Sequence, residues 1–272
     1  MSVMAEITAK DVAELRKLTG AGILDCRKAL EEAQGNIEVA EKWLREQGKV
    51  SAGKRADRER PEGAVAVVVD AAPGRDACGA IVALECETDF VAKSAEFVQL
   101  VDELAAELAT GGEAALDAQR DRVERLALTS KENVAVGRTE RFVAGPGGVV
   151  GSYLHIQNGR GVNAVLVELA NGTQELAHDI AVHVAFARPE FLSRDDVPAD
   201  RIEAERQTAE AIVRNENKPE SAVPKIVEGR LNGWLKERVL LEQSYVRDEK
   251  RTIADLLGRA KLTRYAQVVV GS

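Results

Sequence analysis

The chain has 272 residues, enough for one large hydrophobic core or for two to three smaller ones. Its net charge of −8 gives no broad electrostatic footprint for phosphate backbones, so specific nucleic-acid binding is a poor expectation. No run reaches the roughly eighteen apolar residues of a membrane span, and Met1 to Lys10 lacks a charged-then-apolar secretory pattern, so a cytoplasmic location without membrane attachment is expected. Cys26, Cys78 and Cys86 are odd in number and form no CxxC pair; they read as small buried hydrophobes.

From Thr8 to Gly48 apolar residues recur at helical spacing in three groups, broken at Gly20-Ala21-Gly22 and at Gly35-Asn36. The expected interior is Val12, Leu15 and Leu18 from the first group, Leu24, Ala29 and Leu30 from the second, and Ile37, Ala40, Trp43 and Leu44 from the third. Asn36 is placed to cap the third helix. Lys49 to Glu62 is charged, leans basic, contains Gly53 and ends at Pro61, which predicts a solvated linker.

Two copies of one succession follow, strand, turn, strand, helix, strand, which is a weak internal repeat. The first uses Ala64 to Val69, the Pro73-Gly74 turn, Ala80 to Cys86, a helix over Phe90 to Leu108 with Phe97, Val101, Leu104 and Leu108 on one face, and Val134 to Val143. The second uses Val149 to Ile156, an Asn158-Gly159 hairpin signal, Val162 to Leu169, a turn at Asn171-Gly172, a helix over Gln174 to Arg188, and Tyr265 to Val270. The second copy carries a helical insertion at about 198–245. Ile202, Ala209, Ile212 and Val213 mark its outgoing arm, Asn217-Lys218-Pro219 its turn, and Ile226, Val227, Trp234 and Leu235 its returning arm, with Pro224 tolerable near that arm's start. Such a charged hairpin is either a protruding contact device or a helix pair folded back onto the core. The fold class is therefore α+β: a three-helix bundle with its linker over 1–60, then two related subdomains of small antiparallel sheet and helix over 61–145 and 146–272.

Chemistry is sparse. Gly20-x-Gly22 lacks the third glycine, the preceding strand and the Lys-Ser/Thr ending of a phosphate loop, so direct nucleotide binding is not expected. His178 and His183, five apart on one helix, face different ways and offer no metal site; no cofactor is expected. A serine elbow is absent, and a Cys86 nucleophile would have to recruit His155 from the other repeat, so no catalytic residue is assigned. The densest segment is Glu85-Cys86-Glu87-Thr88-Asp89-Phe90-Val91-Ala92-Lys93, where a buried strand becomes a helix. Thr88 or Asp89 can accept backbone N–H bonds at the helix start, and the Asp89 carboxylate complements the helix dipole. Phe90 lies seven residues before Phe97, so periodicity alone puts it on the core-facing stripe.

Five stretches carry a resemblance: Glu14-Leu15-Arg16, Thr19-Gly20-Ala21-Gly22 with Asp25-Cys26-Arg27-Lys28-Ala29-Leu30, Thr88-Asp89-Phe90-Val91-Ala92-Lys93, Gly151-Ser152-Tyr153-Leu154-His155, and Lys218-Pro219 with Ile226-Val227-Glu228-Gly229-Arg230. In this order they resemble the bacterial elongation factor Ts family, over nearly the whole chain. The resemblance implies a ubiquitin-associated-like bundle that docks on a GTPase, elongation factor Tu, and a non-enzymatic guanine-nucleotide exchange factor. It implies that Thr88, Asp89, Phe90 and Val91 form an intruding loop that disturbs the partner's Mg²⁺ and nucleotide site. His155 matches a second intruding residue, Arg16, Ile23, Leu24 and Arg27 match docking positions, and Val246 matches a contact of the second subdomain. Three departures stand out: Ser130-Lys131-Glu132-Asn133 where many relatives read Ile-Gly-Glu-Asn, Arg247 after Val246 where an apolar residue is common, and an ending at Ser272 without the further helical module of some relatives. The competing classes are an adaptor that binds another protein through the bundle, and an enzyme built on Cys86, Asp89 and His155.

Overall fold

In the computed structural model the bundle comes first: α1 (Ala9–Thr19), α2 (Ile23–Glu32) and α3 (Ile37–Gly53). The structure describes all residues except 1–6, 54, 56, 72–75, 217–218 and 272, and the side chains of 48–53 are not described. Thr8 and Asp11 form a reciprocal capping box on α1, Gly20 ends it in a left-handed conformation, and Asn36 Oδ1 accepts from Val39 N at 3.1 Å to cap α3. The interior is Leu15, Cys26, Ala29, Leu30, Ala33 and Ala40, with Val12, Ile37, Trp43 and Leu44 partly buried against it. Leu18 and Leu24 do not belong to it, contrary to expectation: they are 55% and 81% exposed. Leu24 lies two residues before Cys26, about 200° around the helix from the stripe Cys26, Ala29, Leu30 and Ala33. α3 also runs through Gly53, several residues into the segment expected to be linker.

Two three-stranded antiparallel sheets follow. β1 (Glu62–Asp70), β2 (Cys78–Cys86) and β3 (Ala135–Val143) pair in that order, with α4 (Asp89–Ala92), α5 (Ala95–Asp117) and α6 (Arg120–Ser130) inserted before β3. β4 (Gly148–Gln157), β5 (Arg160–Ala170) and β8 (Lys261–Val269) pair in the same order, with α7 (Gln174–Ala187) following β5. Each sheet is apolar on both faces. The outer face of the first is covered by α5 through Phe97, Val101, Leu104 and Leu108, and that of the second by α7 through Ala177, Ile180, Ala181 and Val184. The inner faces meet through Val65, Ile81, Phe142, Val150, Leu166 and Val268, giving four layers, helix, sheet, sheet, helix. The Pro73-Gly74 turn and the Asn217-Lys218 half of the hairpin turn lie outside the described residues.

Between α7 and β8 the chain runs through α8 (Ala199–Asn215) and α9 (Val223–Arg238), then β6 (Ser244–Tyr245), β7 (Asp248–Thr252) and α10 (Ile253–Leu257). α8 and α9 bury Ala209, Val213 and Val227 against each other, while Leu231 and Leu235 pack with Val197 and Val239. Among the described residues neither arm contributes to the sheet–helix cores, so the pair is a protruding hairpin and not a folded-back core element.

Candidate functional site

The expected single helix from Phe90 to Leu108 is two helices. Thr88 Oγ1 accepts from Val91 N at 3.4 Å and caps α4, which stops at Lys93 after one turn; Ser94 Oγ then accepts from Phe97 N at 3.3 Å and starts α5 afresh. The break resets the angular register, so the seven-residue spacing no longer places Phe90 above Phe97. Phe97 is fully buried and Phe90 is 83% exposed, which overturns the core reading of Phe90. On a single turn only one side can pack: Ala92 is buried, Val91 lies half-buried against the first core, and Phe90 is left outside.

Asp89 also faces solvent. Lys93 Nζ donates to its Oδ2 at 2.5 Å, and this bond holds the Asp89 carboxyl below the usual carboxylate range. Behind the loop, the buried Cys86 thiol donates to Thr88 O at 3.2 Å, and burial pushes its pKa up to about 12. A thiol of that kind is neutral at physiological pH and serves as packing and a weak donor, not as a nucleophile. Cys26 is buried likewise, but Cys78 is only half-buried, against expectation. Among the described residues no three His, Cys, Asp or Glu side chains converge to hold a metal ion.

His155 is exposed near the end of β4, at a bulge just before the hairpin turn. Asn158 and Gly159 turn the chain with φ of 53° and 79°, the doubly left-handed geometry that the Asn-Gly pair favours. Arg160 then folds inward. It is 9% exposed and donates from Nη1 to Gly63 O and from Nη2 to Glu62 Oε2, both at 2.6 Å. Glu62 is paired with Cys86 across β1 and β2. The hairpin carrying His155 is thereby fastened to the edge where Thr88 to Val91 emerges, and the Arg160 charge helps to depress Asp89. Sequence reasoning missed Arg160, because one arginine after an Asn-Gly turn reads as a solvated residue. Only the packing of one sheet on the other buries it.

The remaining positions divide. Arg16, Ile23, Leu24 and Arg27 are all exposed on the bundle, with Ile23 at 57% and Leu24 at 81% beside each other at the start of α2. Arg27 pairs with Glu31 at 3.1 Å. Lys131, at the end of α6, donates to Asp25 Oδ2 at 3.1 Å and ties this corner of the bundle to the first sheet unit. Val246 is not brought to the Phe90 edge. It turns β6 into β7 on the helix-covered side of the second sheet, half-buried in that core, and its N–H donates to Nδ1 of the buried His183 at 3.4 Å. The neighbouring Arg247 reaches Asp179 at 2.7 Å, so the charged substitution is absorbed by an ion pair on α7.

The family description "Elongation factor TS" matches residues 87–272, and "Elongation factor Ts, mitochondrial, N-terminal" matches residues 2–53. Proteins named elongation factor Ts are similar along almost their whole length: that of Streptomyces griseus is 41% identical over 280 residues, covering 98% of this chain and all of the relative. The counterparts of Acidothermus cellulolyticus and Mycobacterium tuberculosis are 42% and 43% identical, each across 98% of this chain and 99% of the relative. With its bundle, paired sheets and protruding hairpin, the chain belongs to the elongation factor Ts family.

Proposed function

We propose that the protein is a guanine-nucleotide exchange factor for elongation factor Tu, working in the cytoplasm without catalysing a covalent step. In this reading residues 1–60 dock on the GTPase, and 61–145 and 146–272 present the loop, the β4–β5 hairpin and the α8–α9 hairpin to it. The carrying observation is Phe90, 83% exposed on a turn whose other side is buried. An aromatic held outside its own core costs solvation until another surface covers it, and a wedge of this kind suits insertion between elements of a partner.

The thermodynamics need no bond making. A factor that binds nucleotide-free GTPase more tightly than the nucleotide-bound form must weaken nucleotide binding by the same ratio. Mg²⁺ is often the largest local charge at a phosphate site, so a wedge that shifts the partner's Mg²⁺ ligands releases the diphosphate more effectively than a contact at the base. Asp89, beside Phe90 on the same turn, would bring its negative charge into the same contact. The adaptor reading accounts for Ile23 and Leu24 but leaves Phe90 and His155 without a task.

The test is direct. Elongation factor Tu loaded with a fluorescent GDP is mixed with excess unlabelled GDP, with and without the protein. Release accelerated by substoichiometric protein supports the proposal, and an unchanged rate at saturating protein removes it.

A further inference from the structure

One-turn helices do not hold themselves: a single hydrogen-bonded turn fixes several dihedrals for very little return. α4 is such a turn, and the N–H groups of Glu87 and Thr88 lie past the end of β2, beyond its ladder. Both are satisfied by one side chain from 44 and 45 residues away. Glu132 Oε2 accepts from Glu87 N at 3.0 Å and from Thr88 N at 3.1 Å, and Oε1 accepts from Thr88 Oγ1 at 2.5 Å. The grip is reciprocal, since Glu87 Oε1 accepts from Asn133 N at 2.7 Å and Asn133 Nδ2 donates to Arg58 O at 2.8 Å.

We propose that Glu132 is the positioning residue of the exchange loop, fixing the direction in which Phe90 and Asp89 are presented; the proposal rests on the exchange reading of that loop. Its carboxylate is well placed for the task. Lys131 takes a left-handed conformation, φ 61°, that ends α6 and turns the next residue toward the loop, and Ser130 Oγ accepts from Glu132 N at 3.3 Å. Hydrogen bonds to an ionised acceptor are the stronger kind, and three converge here. The preceding residue, Lys131, holds Asp25 next to the exposed Ile23 and Leu24. One short turn therefore fixes the loop on one side and touches the docking corner of the bundle on the other. The departure at Ser130 and Lys131 leaves this grip intact, because the gripping atoms belong to Glu132 and Asn133. Glu132 touches no partner in this scheme; it acts through Thr88.

The experiment uses the full-length chain carrying Glu132→Ala or Glu132→Gln, each alone and combined with Phe90→Ala. Release of fluorescent GDP from elongation factor Tu is followed against factor concentration, and amide hydrogen exchange at Glu87 and Thr88 is followed by NMR on the chain alone. A loop that adopts its presenting conformation about one time in ten lowers productive encounters by about tenfold. The expected result is a rate per unit of factor, below saturation, roughly tenfold lower for Glu132→Ala, with a smaller loss for Glu132→Gln, which keeps one acceptor. Faster exchange at the Thr88 amide is expected in both variants. In the Phe90→Ala background each change should cost much less than it does alone, leaving only the part carried by Asp89, because the carboxylate acts only through that loop. Two findings would overturn the proposal: unchanged Thr88 protection in folded Glu132→Gln, or losses that add to those of Phe90→Ala. If the unmodified protein fails to accelerate release, the exchange reading falls by itself, and Thr88 protection still decides whether Glu132 holds the loop.

Discussion

Truncating Phe90 separates a surface wedge from a core residue by magnitude. A phenylalanine side chain offers about 200 Å², so at 83% exposure it buries roughly 35 Å² in the free protein, worth about 0.9 kcal/mol at ~25 cal/mol per Å². Phe90→Ala should therefore lower stability by under about 1 kcal/mol, or a few degrees in Tm. Phe97 is fully buried, and Phe97→Ala in the same protein should cost about 3–5 kcal/mol. The remaining surface of Phe90, about 165 Å², carries up to about 4 kcal/mol if a partner covers it all. Anchors of this kind typically give about 2–4 kcal/mol, so Phe90→Ala should slow nucleotide release from elongation factor Tu roughly thirty-fold or more. Urea unfolding of both variants and stopped-flow release of fluorescent GDP provide the two numbers. A stability loss matching that of Phe97→Ala, or a release rate equal to the unmodified protein's, would refute the assignment.

Leu24→Ser should change stability by no more than about 0.5 kcal/mol, because the side chain is 81% exposed, yet weaken binding to nucleotide-free elongation factor Tu in calorimetry; unchanged affinity would show that this corner of the bundle is not a docking surface. Gly161→Ala should destabilise the protein by about 1–3 kcal/mol in urea titrations, since an added Cβ would lie 2.1 Å from Val65 O, where β5 crosses β1. Burial lowers the pKa of His183 below its usual 6.5, with the Gln243 hydrogen bond opposing part of the shift. The unfolded chain then takes up that proton first, so this contribution to stability is complete above about pH 6.5 and is lost as the pH falls through the lower folded value. Unfolding midpoints measured between pH 7.5 and 5.5 should drop in the native protein and drop less in His183→Gln.

The plan of the chain was legible because it is written in periodicity. Helical spacing marked the bundle, alternating and continuous apolar runs marked the strands, and Asn158-Gly159 marked its own turn; each is a local signal that neighbours along the chain supply. The repeat was readable for the same reason, and the hairpin announced itself by its charge and its length. Phe90 was misplaced by periodicity because Ser94 restarts the helix, and a cap competes with helix continuation over only a few residues. Leu18 follows Leu15 by three residues, so spacing puts it on the inner face although it is left exposed near the end of α1; Leu24 was counted with the interior although its spacing from Cys26 puts it on the far side of α2.

What tertiary structure alone decided is which distant groups meet. Arg160 becomes a buried clamp only when the second sheet lies on the first, and Glu132 becomes the support of Thr88 only when α6 returns the chain beside β2. Val246 was assigned by resemblance, and the fold sets it on the opposite, helix-covered side of the second sheet. The physical reason is the range of the forces. Propensity, capping and turn chemistry act between residues a few positions apart, and the sequence displays them; the desolvation that turns a charged side chain into a structural bond depends on surfaces brought together by the whole chain.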